Sequence, residues 1–100
     1  MNILETELSD AVAQNVNVGD DALTVDLADG RTITVPLSWY PRLASGTPGE
    51  RANYRLIGGG VGMHWPDLEE DISVASLLRG HRSGESQASL LRWLQQRQEG

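Results

Sequence analysis

The chain has no cysteine, no lysine and no phenylalanine. Without cysteine there are no disulfides, no thiolate metal sites and no cysteine nucleophile, and a cytoplasmic location is favoured. Without lysine, a phosphate loop closing on Gly-Lys-Ser/Thr is excluded, and all eight basic residues are arginine. Long apolar runs are missing as well. No stretch approaches the roughly 20 apolar residues of a membrane span. The opening segment MNILETELSD has neither the basic start nor the apolar centre of a signal peptide.

What remains is globular in composition: 100 residues, 39% hydrophobic and 22% charged. That length suits one domain, which buries roughly 65% of its unfolded surface. The net charge of −6 is uneven, because residues 1–30 carry seven acids and no base. Phosphate backbones attract clustered Lys and Arg. An acidic front third without a basic cluster therefore argues against direct nucleic-acid binding and suits a basic partner.

Hydrophobic periodicity predicts an α+β fold that begins with a three-stranded antiparallel β-meander over residues 11–37. The first ten residues read as irregular. In the first strand, Val12, Val16 and Val18 share one face, with Ala13, Asn15 and Asn17 opposite. Leu23, Val25 and Leu27 alternate with polar residues in the second, and Ile33, Val35 and Leu37 in the third. Asp29-Gly30 predicts a two-residue type I′ turn between them. Ser38 is placed to cap a helical turn from Trp39 to Leu43. Thr47-Pro48-Gly49-Glu50 is a capping box that starts a helix over 48–56, with Ala52, Leu56 and Ile57 toward the sheet and Gly58 as its C-cap. A short strand follows over 61–65, then a brief strand at Asp71-Ile72, and Ser73 caps a short helix over 74–79 closed by Gly80. Residues 81–86 form a polar linker. An amphipathic helix over 87–97 carries the stripe Ala88, Leu91, Leu94, widened by Leu90 and Trp93. The expected organisation is a single domain over 1–80 with the linker and C-terminal helix over 81–100.

The stretch RLIGGGVGMHWPDLEEDIS concentrates the candidate chemistry. A dinucleotide fingerprint runs strand, glycines, helix; here a helix is expected before the glycines and a strand after. The glycines read better as a joint: Gly58 ends a helix, Gly59 and Gly60 permit positive φ, and Gly62 allows a bulge or a close backbone approach. His64 and Asp67 are the candidate pair for metal-dependent or hydrolytic chemistry. Zinc needs three or four ligands, the second histidine is the distant His81, and no Gly-x-Ser-x-Gly elbow is present. No metal or cofactor is expected. Asp67, Glu69, Glu70 and Asp71 do not follow the calcium-loop spacing and read as a solvated acidic loop or a docking surface.

Five aromatic residues are core material or binding anchors, and Trp and Tyr beside Arg are frequent interface residues. Arg42, Arg51 and Arg55 lie close in sequence to Trp39, Tyr40 and Tyr54, and Arg51 and Arg55 fall on one face of the expected helix. The candidate partner-binding set is Trp39, Tyr40, Arg42, Arg51, Arg55, His64, Trp65 and Asp67.

The ordered phrases Asp-Gly-Arg, Trp-Tyr-Pro-Arg-Leu, Arg-Ala-Asn-Tyr, Gly-Gly-Gly, His-Trp-Pro-Asp-Leu and Asp-Ile-Ser-Val resemble a bacterial family known as domain of unknown function 2442. The resemblance spans residues 10–80, and ESQASLLRWL looks like the tail of many members. It implies a small α+β domain with an antiparallel sheet and carries over no catalytic residues. Members are often encoded beside another small protein, an arrangement that looks like a toxin–antitoxin pair with this family as the antitoxin. Some relatives add a helix-turn-helix, for which the residues after 80 leave no room.

Three functions follow as expectations. The first is a non-enzymatic, antitoxin-like interaction module that binds and neutralises a partner protein, such as a toxin encoded by a neighbouring gene. The second is an acidic mimic of nucleic acid, using Asp20, Asp21, Asp26, Asp29, Asp67, Glu69, Glu70 and Asp71. The third is a small hydrolase or metal-dependent enzyme using His64 and Asp67. A dimer through the C-terminal helix is open, as is packing of that helix on its own chain.

Overall fold

The computed structural model describes residues 11–99. The reading of residues 1–10 as irregular lies outside that range. The elements are β1 (Ala13–Val18), β2 (Ala22–Leu27), β3 (Thr32–Pro36), a 3-10 turn (Leu37–Trp39), α1 (Pro41–Ala44), α2 (Pro48–Ala52), β4 (Arg55–Ile57), β5 (Gly62–Trp65), β6 (Glu70–Ser73), α3 (Val74–Leu78) and α4 (Gln87–Glu99). They make an α+β fold with two three-stranded antiparallel sheets, β1-β2-β3 and β4-β5-β6. The meander predicted from alternation is the first of these. The second sheet was only half visible in sequence.

In β2, Leu23, Val25 and Leu27 are all buried, as period-two alternation requires. In β1 the pairing with β2 slips between Ala13 and Asn15. The slip puts Ala13 on the core side with Val16, which corrects its expected placement opposite. Ala13 N–H donates to Gly60 O at 2.7 Å, so this bulge is where the first sheet meets the second. Gly60 has φ +105, and a Cβ there would stand 2.6 Å from Ala13 O. The triple glycine is therefore a joint, as its composition suggests, made by backbone approaching backbone.

The β2–β3 connection differs from the expected type I′ turn. Gly30 N–H donates to Leu27 O at 3.1 Å and Leu27 N–H to Arg31 O at 2.7 Å. Only Gly30 has positive φ in this loop. This is a three-residue hairpin in which a turn is followed by a left-handed glycine. Asp29 accepts from Arg31 N–H at 3.0 Å and from its Nε at 2.9 Å, which fastens the loop.

Ser38 does not cap a turn to Leu43. It lies inside the 3-10 turn, and α1 starts afresh with Pro41 in its first turn. The capping box forms as expected: Glu50 N–H donates to Thr47 Oγ1 at 3.1 Å, and Thr47 N–H donates to Glu50 Oε1 at 2.9 Å. The helix it opens stops at Ala52 rather than 56. Tyr54 turns inward instead, with its ring 6.1 Å from Trp65 and its hydroxyl accepting Val16 N–H at 3.2 Å. Arg55, Leu56 and Ile57 then pair with β5. Ala52, Leu56 and Ile57 are exposed rather than turned to a sheet. Gly58 is not a helix cap but the first residue of the β4–β5 loop, with φ +60. Gly62 pairs regularly, without a bulge.

After β6, Ser73 caps α3 by accepting Ser76 N–H at 3.0 Å. Gly80 N–H reaches Leu77 O, and His81 N–H reaches Ser76 O, a two-bond closure with Gly80 at φ +74. The 81–86 segment has no helix or strand, yet it is strapped to the body. Ser83 N–H donates to Trp39 O at 3.0 Å, and Tyr40 Oη donates to His81 O at 3.0 Å. The stripe of α4 centres on Trp93, which is buried, while Leu91 is 59% exposed. Trp93 lies between two guanidinium groups, Arg42 at 5.0 Å and Arg97 at 4.7 Å from its ring, so α4 packs on its own chain. One core joins Leu23, Val25 and Leu43 to Met63, Trp65, Leu68 and Val74 of the second half.

Candidate functional site

The eight predicted partner-binding residues separate into buried or half-buried aromatics, two fastening arginines, one cross-strand pair and Asp67 by itself. Tyr40 and Trp65 are core residues at 4% and 0% exposure, and Trp65 Nε1 donates to Arg51 O at 3.0 Å. Trp39 is half-buried beneath the Arg82 guanidinium, 5.0 Å away. Arg42 and Arg51 work as fasteners. Arg42 Nε donates to both Glu85 carboxylate oxygens at 2.9 Å. Arg51 donates to Leu43 O and Ala44 O at 2.8 Å, closing the C-terminal end of α1. Since α2 ends at Ala52, Arg51 and Arg55 do not share a helix face.

Arg55 and His64 do come together. They are direct partners across β4 and β5, and His64 is the partner of Asp71 across β5 and β6. An arginine, an imidazole and a carboxylate thus form a row across the outer face of the second sheet, with His64 Nδ1 bonded to Asp71 Oδ1. Asp67 is elsewhere: it accepts from Asn53 Nδ2 at 2.9 Å. The acidic run is divided among separate partners, and no group of three or more metal-ligating side chains occurs among the described residues.

The same outer face holds a hollow that sequence reasoning missed. Gly62 contributes no side chain, so a space of about 410 Å³ opens between Ile57, Val61, Ile72, Ser73 and Ser76. Two of its lining residues, Ile57 and Val61, are 43% and 48% exposed, while Leu56, 39% exposed, is the cross-strand partner of buried Met63 on the other face. Their exposure was hidden from sequence because a helix was expected through residue 56.

A second cavity, of about 210 Å³, lies on the other side of β6. Its lining includes Tyr40, Glu70, Ser76, Arg82, Ser83 and Gly84. The strap over 81–84 forms one wall, and β6 with α3 forms another. Burial raises the Glu70 carboxyl above the ordinary glutamate range, with Glu85 and Asp71 adding repulsion and Arg42 opposing it. The Tyr40 phenol is raised by burial and by the Glu70 charge. Glu85 goes the other way, held below the usual range chiefly by its hydrogen bonds from Arg42. The two cavities share Asp71, Ile72, Ser73 and Ser76, so β6 is a common wall with an apolar hollow on one side and a polar one on the other.

Residues 13–83 match the model of a family described as a protein of unknown function, DUF2442. Two solved structures share the fold. One is a protein of unknown function from Rhodospirillum rubrum, at 24% identity and TM-score 0.63, with 78% of this chain and 94% of that one covered. The other is an uncharacterized protein from Chromobacterium violaceum, solved in solution, at 18% identity and TM-score 0.64, covering 90% and 87%. No curated protein matches. Among the described residues no helix is long and apolar enough to cross a membrane.

Proposed function

The chain belongs to the DUF2442 family of unknown function, and from that premise we propose that it is a non-enzymatic interaction module, antitoxin-like in role, that binds and neutralises a partner protein. The observation that carries this reading is the outer face of the second sheet. Ile57 and Val61, 43% and 48% exposed, line an open hollow there instead of a core. Exposed apolar groups that cluster at a concavity mark binding sites far more often than ones scattered singly. Beside the hollow stands the polar row Arg55, His64, Asp71, which supplies the oriented donors and acceptors that give an apolar contact its specificity.

The partner chemistry follows from charge. The chain carries −6 overall, so its field favours a basic protein at long range and speeds encounter. The bound segment is expected to place an apolar side chain over Gly62. Filling that space tests the reading. A Cβ on Gly62 would make only ordinary contacts, at 3.5 Å from Ile57 Cδ1, so Gly62→Leu is expected to fold. With the tagged chain purified from its host and the neighbouring genes intact, the co-purified protein should lose at least about tenfold in affinity for Gly62→Leu and for Ile57→Asp, equivalent to about 1.4 kcal/mol. Leu91→Asp, on the exposed α4 surface outside the hollow's lining, should leave titration calorimetry unchanged. Equal affinity across all three variants would sink the proposal.

A further inference from the structure

We propose that the outer edge of β4 is a docking site for one extended segment of the partner protein, which adds to the second sheet antiparallel to β4. This rests on the interaction reading above and names the conformation and side-chain pattern of what binds.

The argument starts from which backbone groups point outward. Val74 N–H donates to Val61 O at 3.0 Å. Antiparallel strands bond through alternate residues. Val61 and Met63 therefore turn their backbone groups toward β6, and Gly62 and His64 turn theirs toward β4. Arg55 lies opposite His64, Leu56 opposite Met63 and Ile57 opposite Gly62, so Arg55 and Ile57 bond β5. The N–H and C=O of Leu56 point away from the sheet, and no described residue bonds them. The other edges are occupied or blunted. On β1, Ala13 N–H donates to Gly60 O and Val16 N–H to Tyr54 Oη. On β6, Asp71 N–H donates to Glu70 Oε1 at 3.2 Å. β3 ends in Pro36, which has no N–H to offer an added strand.

The side chains of β4 show the same open edge. Leu56 turns to the core side opposite Met63, which is fully buried, yet Leu56 is 39% exposed. Its sheet has no described strand beyond β4. A strand laid there meets both backbone groups of Leu56 and covers its side chain with an apolar one, the arrangement of peptide recognition by strand addition. Arg55 and Ile57 point to the outer face. Ile57 lines the hollow, so the residue beside it is apolar. The Arg55 guanidinium has no hydrogen bond or ion pair among the described residues, whereas Arg42 and Arg97 each hold a glutamate. The residue beside Arg55 is therefore acidic, since opposite charges directly across a ladder are favourable. From N- to C-terminus along the antiparallel segment, the pattern is apolar, apolar, acidic. A second copy of this chain does not supply it. Two β4 strands paired about Leu56 would set Arg55 of one against Ile57 of the other, and each copy carries −6.

The test is a two-dimensional amide NMR titration of the full chain with the peptide acetyl-Thr-Val-Val-Glu-Thr-amide. It is run against the same peptide with Lys in place of Glu, and against one with the central Val N-methylated. The expected result is a saturable shift and slowed exchange of the Leu56 N–H, with at least about threefold weaker binding of the Lys and the N-methylated peptides. Arg55→Glu should reverse the preference between the two charged peptides, which a purely structural role for Arg55 would not do. Equal affinity for the charged peptides, full binding of the N-methylated one, or no response at Leu56 each overturns the inference. So does a Leu56 N–H that already exchanges slowly in the free chain, which would mean that another segment or a second copy holds the edge. The two proposals fail separately. If the Glu peptide pairs with Leu56 but no co-purified partner depends on Gly62, the interaction reading falls and the edge site stands. If a partner needs Gly62 while Leu56 N–H exchanges as fast in its complex as without it, the edge site falls and the interaction reading stands.

Discussion

At the scale of single residues, two glutamates fifteen positions apart carry opposite signs. Glu85 is held below the ordinary value of 4.5 by Arg42. A lowered folded-state value contributes stability that is present above the unfolded value and is lost as pH falls through the folded one. Glu70 is raised above 4.5 by burial. Its native state holds the proton longer, so its contribution declines as pH rises from 4.5 through the raised value. Urea midpoints measured from pH 3.5 to 7 should therefore move oppositely for the two neutral variants. Glu85→Gln lowers stability at pH 7 and flattens the decline on acidification, whereas Glu70→Gln is neutral or stabilising at pH 7. Gly60 gives a third residue-scale expectation. At φ +105, with a Cβ 2.6 Å from Ala13 O, Gly60→Ala should cost about 1–3 kcal/mol in urea unfolding. The glycine run could be read as a joint from composition, but its target, the bulged backbone at Ala13, could not. A one-residue slip in β1 leaves no mark on hydrophobic alternation because Val12, Ala13 and Val16 are all apolar.

At the scale of elements, β2 and the Thr47 capping box follow from the chain because each rests on neighbours in sequence. The α2 boundary does not. A capping box starts a helix without saying how far it runs, and a five-residue helix has little cooperativity to resist pairing. Burial of Tyr54 against Trp65 and the ladder from β4 to β5 end it. The C-terminal helix shows a second kind of failure. Leu91 looked central to the stripe, but Trp93 covers more area and is flanked by Arg42 and Arg97, and its burial rotates Leu91 outward. Trp93→Ala should cost about 3–5 kcal/mol, with amide exchange rising first along residues 87–99. Leu91→Ala should stay within about 0.5 kcal/mol.

At the scale of the whole molecule, two small sheets share one core, and each is incomplete alone. Three-stranded sheets need a partner for their apolar faces, and the bonds from Ala13 to Gly60 and from Val16 to Tyr54 join the two. Arg55 and His64 were legible as candidates because arginine and histidine stand out in any short segment. That they face each other, with Asp71 third in the row, depends on a β4 that sequence reading had placed in a helix. The cavities were not legible at all, since they are spaces between β6, α3 and a strap that is far away along the chain. The most direct measurement is a photo-crosslinking residue placed at Val61, and separately at Leu91, in the chain expressed in its host. The account predicts one defined adduct from Val61 and none from Leu91. Adducts from Leu91 alone would contradict it.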